Sequence, residues 1–117
     1  METKGTPPCP RSGHSLTVVG PKTVLFGGCG RKDKAPAASA FSDVFTADVS
    51  QPEYITWREE HVTGPVPPPR TRHSAVAIDK KRLLIFGGLD HRTRYSDLWV
   101  LDTSTWKWSQ PKARREE

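Results

Sequence analysis

Two stretches of this chain are imperfect copies of each other, which restricts it to architectures built from equivalent units. Pro10-Arg11-Ser12-Gly13-His14-Ser15, an apolar run and Val24-Leu25-Phe26-Gly27-Gly28 return as Pro69-Arg70-Thr71-Arg72-His73-Ser74, an apolar run and Leu84-Ile85-Phe86-Gly87-Gly88. The likeness continues: Ser42-Asp43-Val44-Phe45 matches Ser96-Asp97-Leu98-Trp99, Asp48 matches Asp102, and Trp57 matches Trp108. The offset is 59 at His14/His73, 60 at Gly27/Gly87, 54 at Asp43/Asp97 and 51 at Trp57/Trp108. Residues are lost in two places only, after the double glycine and between the aspartate and the tryptophan. Stacked units tolerate length changes in their connections, so this register is a structural one. A unit of this kind buries its apolar face only against a neighbour.

Within each copy the pattern is that of strands. His73–Ile78 and Leu83–Phe86 are short apolar runs around the polar turn Asp79-Lys80-Lys81-Arg82, and Gly20-Pro21-Lys22 is the turn in the first copy. A third strand follows at Asp43–Asp48 and Asp97–Asp102, and a fourth near Tyr54–Glu59 and Trp106–Gln110. No helical stripe with caps interrupts them. Eleven prolines and nine glycines suit short strands joined by many turns. A glycine pair ending a buried strand lets a neighbouring backbone or aromatic ring approach closely, and Phe26, Phe86, Trp57 and Trp108 supply such rings. The linker Gly64-Pro65-Val66-Pro67-Pro68-Pro69 lacks most backbone donors and is therefore a connection.

Six landmarks in the same order, twice, resemble the kelch repeat: Pro-Arg-x-x-His, two apolar strands ending in Gly-Gly, a strand ending near Asp, and a closing Trp. The resemblance covers about residues 8–110. It implies an all-β chain of two four-stranded antiparallel blades, a sector of a β-propeller. The expected division is an N-terminal extension (1–8), blade 1 (9–63), the proline-rich linker (64–69), blade 2 (70–110) and a charged tail (111–117). His14, Gly27, Gly28, Trp57, His73, Gly87, Gly88 and Trp108 are then repeat landmarks. The first blade departs from the second in a long loop, Cys29–Ala40, rich in Ala and Lys and expected to be mobile.

Propellers close with about four to eight blades, so two blades leave apolar faces uncovered. Three resolutions are open: a fragment or short product of a longer kelch protein, which is favoured; a homo-oligomer completing a propeller, three copies giving six blades; or an open piece that needs a partner.

No catalytic constellation is present in the sequence, and neither a cofactor nor a metal is expected. His14 and His73 are repeat positions, while His61 and His91 are unmatched. Cys9 and Cys29 lack the short paired spacing of zinc ligands and are too few for a disulfide scaffold. Gly27-Gly28-Cys29-Gly30 lacks the Gly-Lys-Ser/Thr ending of a phosphate loop. Cys29, near Arg31, Lys32 and Lys34, is the single thiol with an argument for reactivity, against the plainer reading of a solvated loop cysteine. Pro65–Arg70 fits a Pro-x-x-Pro-x-Arg docking peptide, but Pro69-Arg70 already belongs to the repeat.

The net charge of +5 raises nucleic acid as a partner, yet no stacking aromatics are interleaved with the basic loops, so it is set aside. No apolar run reaches the ~18 residues that span a membrane, and no signal-peptide segment begins the chain, so a cytoplasmic or nuclear location is expected. The kelch resemblance implies a non-catalytic protein–protein interaction module, a scaffold or substrate-recruiting adaptor. A protein or acidic peptide is the expected partner, because loop arginines pair with carboxylates. The candidate binding residues are Arg11, Arg70 and Arg72, carried over from the family's Pro-Arg-x-x segment, with Arg92 and Arg94 in the second variable loop. The alternatives are a kelch segment of a multidomain enzyme such as a phosphatase, with catalysis elsewhere, or a structural assembly component.

Overall fold

Two antiparallel blades lie face to face in the computed structural model, which describes residues 2–32, 35–51 and 53–111. Blade 1 contains β1 (Glu2–Gly5), β2 (Ser15–Val19), β3 (Lys22–Phe26), β6 (Val44–Asp48) and β7 (Tyr54–Glu59), in the sheet order β1-β7-β6-β3-β2. Between β3 and β6, β4 (Cys29–Gly30) and β5 (Ser39–Ala40) form a two-stranded ladder. Blade 2 contains β8 (Ser74–Ala77), β9 (Arg82–Asp90), β10 (Thr93–Asp102) and β11 (Lys107–Ser109), ordered β11-β10-β9-β8. The all-β, two-blade reading of the repeat is what the chain adopts.

Three details differ from the sequence reading. Residues of the N-terminal extension are built into a sheet: β1 runs parallel to β7, pairing Glu2 with Tyr54 and Gly5 with Trp57. Blade 2 has a remnant of the same arrangement, a single parallel bridge from Thr63 to Lys107, so the lead-in to each blade passes along that blade's outer edge. Second, Gly87-Gly88 does not end its strand. The connection after it is short enough to be a hairpin, so β9 continues to Asp90 with a bulge between Tyr95 and Leu98. In blade 1 the longer insertion breaks that hairpin, and the base of the loop expected to be mobile survives as β4–β5. Of the charged tail, residues 112–117 lie outside the described residues.

Pairing register assigns each side chain to a face. Val19, Val24, Phe26 and Val44 share the trailing face of blade 1, and Ala75, Ala77, Leu83, Ile85, Trp99, Leu101 and Trp108 share the leading face of blade 2. These two faces make the core: Val19, Val24, Phe26, Leu83, Ile85, Leu101 and Trp108 are fully buried. Phe26 packs against Trp108 with ring centroids 5.0 Å apart, and Trp99 meets Trp108 edge-on at 6.3 Å. Burial of such side chains contributes about 2–3 kcal/mol each. The junction between blades thus holds the main hydrophobic cluster, while Leu25, Phe41, Phe45 and Ala47 of blade 1 are buried outside it.

Candidate functional site

Each blade is entered by a Pro-Arg segment that runs inward from the outer edge. In blade 2 the Arg70 guanidinium is fully buried and forms a forked pair with Asp97, at 2.6 and 3.0 Å. It also donates to the Gly87 carbonyl at 2.9 Å and lies 4.1 Å from the Tyr95 ring centroid. Blade 1 repeats this atom for atom: Arg11 bonds Asp43 and the Gly27 carbonyl and sits 4.3 Å from the Phe41 ring. A planar guanidinium matches two carboxylate oxygens and an aromatic face at once, which a lysine cannot do. The bond from Arg70 holds the Asp97 carboxyl below the usual carboxylate range, helped by the Trp99 indole N–H at 2.9 Å.

This arrangement corrects the assignment of Arg11 and Arg70 as partner-binding loop residues. Their side chains are 3% and 0% exposed and fully engaged, so they fasten the lead-in segment to the loop at the double glycine. The same burial removes the docking-peptide alternative, since its arginine would be Arg70 and Pro67 is buried as well. Sequence reasoning missed the pairing although its signal was present: Pro-Arg and Ser-Asp recur together in both copies, as a charge and its partner would.

Four of the landmark residues, Gly27, Gly28, His73 and Trp108, fall into the blade junction. Gly27, Gly28, Gly87 and Gly88 all have φ between +70° and +102°. A Cβ on Gly27 would lie 2.9 Å from both the Arg70 carbonyl oxygen and His73 Cε1, and a Cβ on Gly28 2.9 Å from His14 Cβ, so the need for close approach is met literally. The Gly28 N–H donates to the Arg70 carbonyl across the junction, and the Arg72 N–H to the Gly13 carbonyl. His73 Nε2 is 2.8 Å from Ser15 Oγ, and its ring meets Phe26 edge-on at 5.1 Å. Burial first, then the charges of Arg70 and His14, push the His73 pKa from 6.5 to about 4, so the ring is neutral there. Among the described residues, His73 Nδ1 and Trp108 Nε1 are buried without a hydrogen-bond partner.

Arg72, Arg92 and Arg94 are placed differently. All three are exposed, and Arg72 holds a left-handed φ of 59° at the position Gly13 occupies in blade 1. Thr71 bridges Leu89, which in turn pairs with Arg94, so the lead-in segment and the β9–β10 hairpin share one end of the blade. Ser12 bridges Cys29 in the same way, bringing the exposed Arg31 and Lys32 to that end. Among the described residues beside these loops, Asp43 and Asp97 are engaged by the buried arginines, and Asp90 lies 3.7 Å from His91 Nε2, an ion pair only when that ring is protonated. Among the described residues, Arg31, Lys32, Arg72, Arg92 and Arg94 therefore outnumber Asp90 at this end. Cys29 is part-buried within β4, and Lys34, invoked with it, lies outside the described residues.

At the opposite end, charges pair locally. Asp79 bonds Arg82, and the Lys22 ammonium donates to the Thr103 carbonyl at 2.7 Å while lying 5.1 Å from the Trp106 ring. A cleft there, lined by Lys22, Asp48, Arg58, Glu60 and Trp106, is of mixed sign. Among the described residues no group of three or more His, Cys, Asp or Glu is placed to hold a metal ion.

Comparison with known proteins agrees with this geometry. A family model of the KLHDC2/KLHL20/DRC7 Kelch-repeats domain matches residues 1–117. The chain is 52% identical over 106 residues to the dynein alpha chain of the flagellar outer arm of Chlamydomonas reinhardtii, covering 91% of this chain and 2% of that protein. It is 40% identical over 111 residues to acyl-CoA-binding domain-containing protein 4 of Arabidopsis thaliana, covering 95% and 15%. Human host cell factor 1 is 35% identical over 116 residues, covering 92% and 6%. The chain thus spans only a small part of the length of these relatives.

Proposed function

The chain belongs to the kelch-repeat family, and on that premise we propose that it is a protein-recognition module whose loop end receives an acidic segment of a partner, as a scaffold or substrate-recruiting adaptor does. Kelch domains are generally non-catalytic protein-interaction scaffolds. One observation carries the finer reading. Among the described residues at the loop end, Asp43 and Asp97 are held by the buried arginines, while Arg72, Arg92 and Arg94 are exposed and without an ion-pair partner on connections held by strands. Exposed cations of this kind steer an acidic partner and fix its register, and their contribution falls with salt.

The test is selection of binders from a displayed library of acidic peptides, followed by the charge-swapped variant Arg72→Glu/Arg92→Glu/Arg94→Glu. Binding that weakens at least tenfold in the variant and declines with salt is the expected result. Peptides held equally by both proteins would overturn the loop-end assignment. A second reading, a structural part of a motor assembly, draws support from the likeness to a flagellar dynein chain. Recovery of axonemal rather than acidic-peptide partners, insensitive to the three arginines, would favour it.

A further inference from the structure

The face of blade 1 that meets blade 2 changes character along its strands. Val24, Phe26 and Val44 make it apolar at the junction, but on β6 and β7 the same face continues as Thr46, Asp48, Thr56 and Arg58. This polar stretch lines a cleft of 580 Å³, together with Lys22, Glu60 and, from just before β11 of blade 2, Trp106. Pockets of about 300–1,000 Å³ are the size that holds small ligands. The repeat does not call for this lining. In blade 2 the registers of Thr46 and Arg58 are filled by Val100 and Ser109.

Trp106 adds an independent sign. Its φ is +55°, a left-handed conformation that bulky side chains avoid, and its carbonyl accepts the Thr63 N–H at 3.0 Å. Such strain persists where the surrounding structure holds it, and here it keeps an indole in the lining of a cleft. The polar groups of that lining have capacity to spare. Lys22 is committed to the Thr103 carbonyl and the Trp106 ring. Asp48 Oδ1 accepts the Ser50 N–H and Glu60 Oε2 the Thr46 hydroxyl, which leaves the second oxygen of each carboxylate for a ligand. Among the described residues, the exposed Arg58 has neither a hydrogen-bond nor an ion-pair partner. Two cations thus stand with two carboxylates. An anion would meet Asp48 and Glu60, and a cation would meet Lys22 and Arg58, so the lining selects an uncharged ligand rich in hydroxyls.

We propose that this cleft between the blades binds a carbohydrate. The hydroxyls of a pyranose donate to the spare oxygens of Asp48 and Glu60 and accept from the Arg58 guanidinium, while its apolar C–H face lies on the Trp106 indole. The cleft lies at the end of the molecule opposite Arg72, Arg92 and Arg94, so this inference does not rest on the acidic-segment reading.

Two-dimensional NMR of the 117-residue chain tests it, by titration with methyl pyranosides of glucose, galactose, mannose and N-acetylglucosamine and with their disaccharides. At least one of these sugars, at millimolar concentration, should move the Trp106 indole and Thr46 amide signals saturably, with no dependence on salt. Arg58→Ala and Trp106→Gly each weaken that binding at least tenfold, the Thr46 amide serving as reporter in both. Glycine suits the left-handed φ, so the second variant keeps its fold. A glycopeptide held more tightly than its free glycan identifies a glycoprotein as the source, and equal binding identifies the free sugar; both support the site. No movement with any of these sugars, movement that survives both substitutions, or a response to inorganic phosphate or lysine amide in place of sugar overturns the proposal. The triple arginine variant leaves the sugar titration unchanged, so failure of acidic-peptide binding and failure of sugar binding read out separately.

Discussion

Phe26 and Phe86 hold the same place in the same repeat, yet one is sealed between Trp108 and His73 and the other stands half in solvent. The chain thereby contains its own control for what a neighbouring blade contributes. Within one blade, the strands and the arginine clamp are complete. What a blade lacks is a cover for its apolar face, and the cover supplied by its neighbour is where the buried aromatic surface lies. The sharpest way to break this contrast is truncation at both positions in dilute, monomeric protein. Phe26→Ala should cost about 3–5 kcal/mol, as a large core deletion does, while Phe86→Ala costs under about 1 kcal/mol. Chemical denaturation measures both. Equal losses would mean that each blade has an independent core and that the junction is incidental.

The arginine clamps behave oppositely, since Arg11 and Arg70 have matching partners although only blade 2 has a blade in front of it. Arg70→Ala leaves the Asp97 carboxylate and the Gly87 carbonyl without their donor, a loss of about 3 kcal/mol. Arg11→Ala should cost a similar amount in the same denaturation experiment. A neutral Arg11→Ala beside a costly Arg70→Ala would show that the clamp works through the junction and not within each blade.

How much of this was legible follows from the same contrast. The repeat register announced the blades, the turns and the glycine positions, because strand alternation and positive-φ glycines are local properties. Gly28 lies against His14 within one blade, a closeness that spacing alone suggests. The arginines were misread because burial is not local. Pro-Arg at a blade entrance looks like an exposed loop charge until Asp43 or Asp97, on the far side of the double glycine, is brought to it. Arg72, two residues after Arg70, looks no different in sequence and is exposed to water. The short β1 was hidden for another reason: Glu2–Gly5 has no strand-like alternation, and its pairing is borrowed from β7.

His73 offers a milder test. His73 is part-buried at the junction with a pKa lowered to about 4, whereas His14, at the equivalent place in blade 1, is exposed. The unfolded chain, with an ordinary pKa near 6.5, binds a proton that the folded chain refuses. Stability is therefore fully present above pH 6.5 and declines as pH falls toward 4, where the effect ends. Allowing for solvent screening of the part-buried ring, the loss is about 1–2 kcal/mol. His73→Gln should flatten this slope in a denaturation series from pH 7 to 4. A slope unchanged by His73→Gln would assign the acid sensitivity to another group.

Arg72 and Gly13 give the smallest expected change in stability and the cleanest separation of roles. Both lie in the same left-handed turn, with φ of 59° and 73°, and both are joined by the bond from the Arg72 N–H to the Gly13 carbonyl. A side chain at positive φ carries strain that glycine lacks, while glycine adds conformational entropy to the unfolded chain. These oppose each other, so Arg72→Gly should shift unfolding by less than about 1 kcal/mol in either direction. The turn keeps its backbone bond and loses only the guanidinium. If that group belongs to the recognition surface, the variant melts like the parent but binds acidic peptides several-fold more weakly. Undiminished binding would remove Arg72 from the surface and leave the β9–β10 hairpin, with Arg92 and Arg94, as the remaining basic element at that end of the blade.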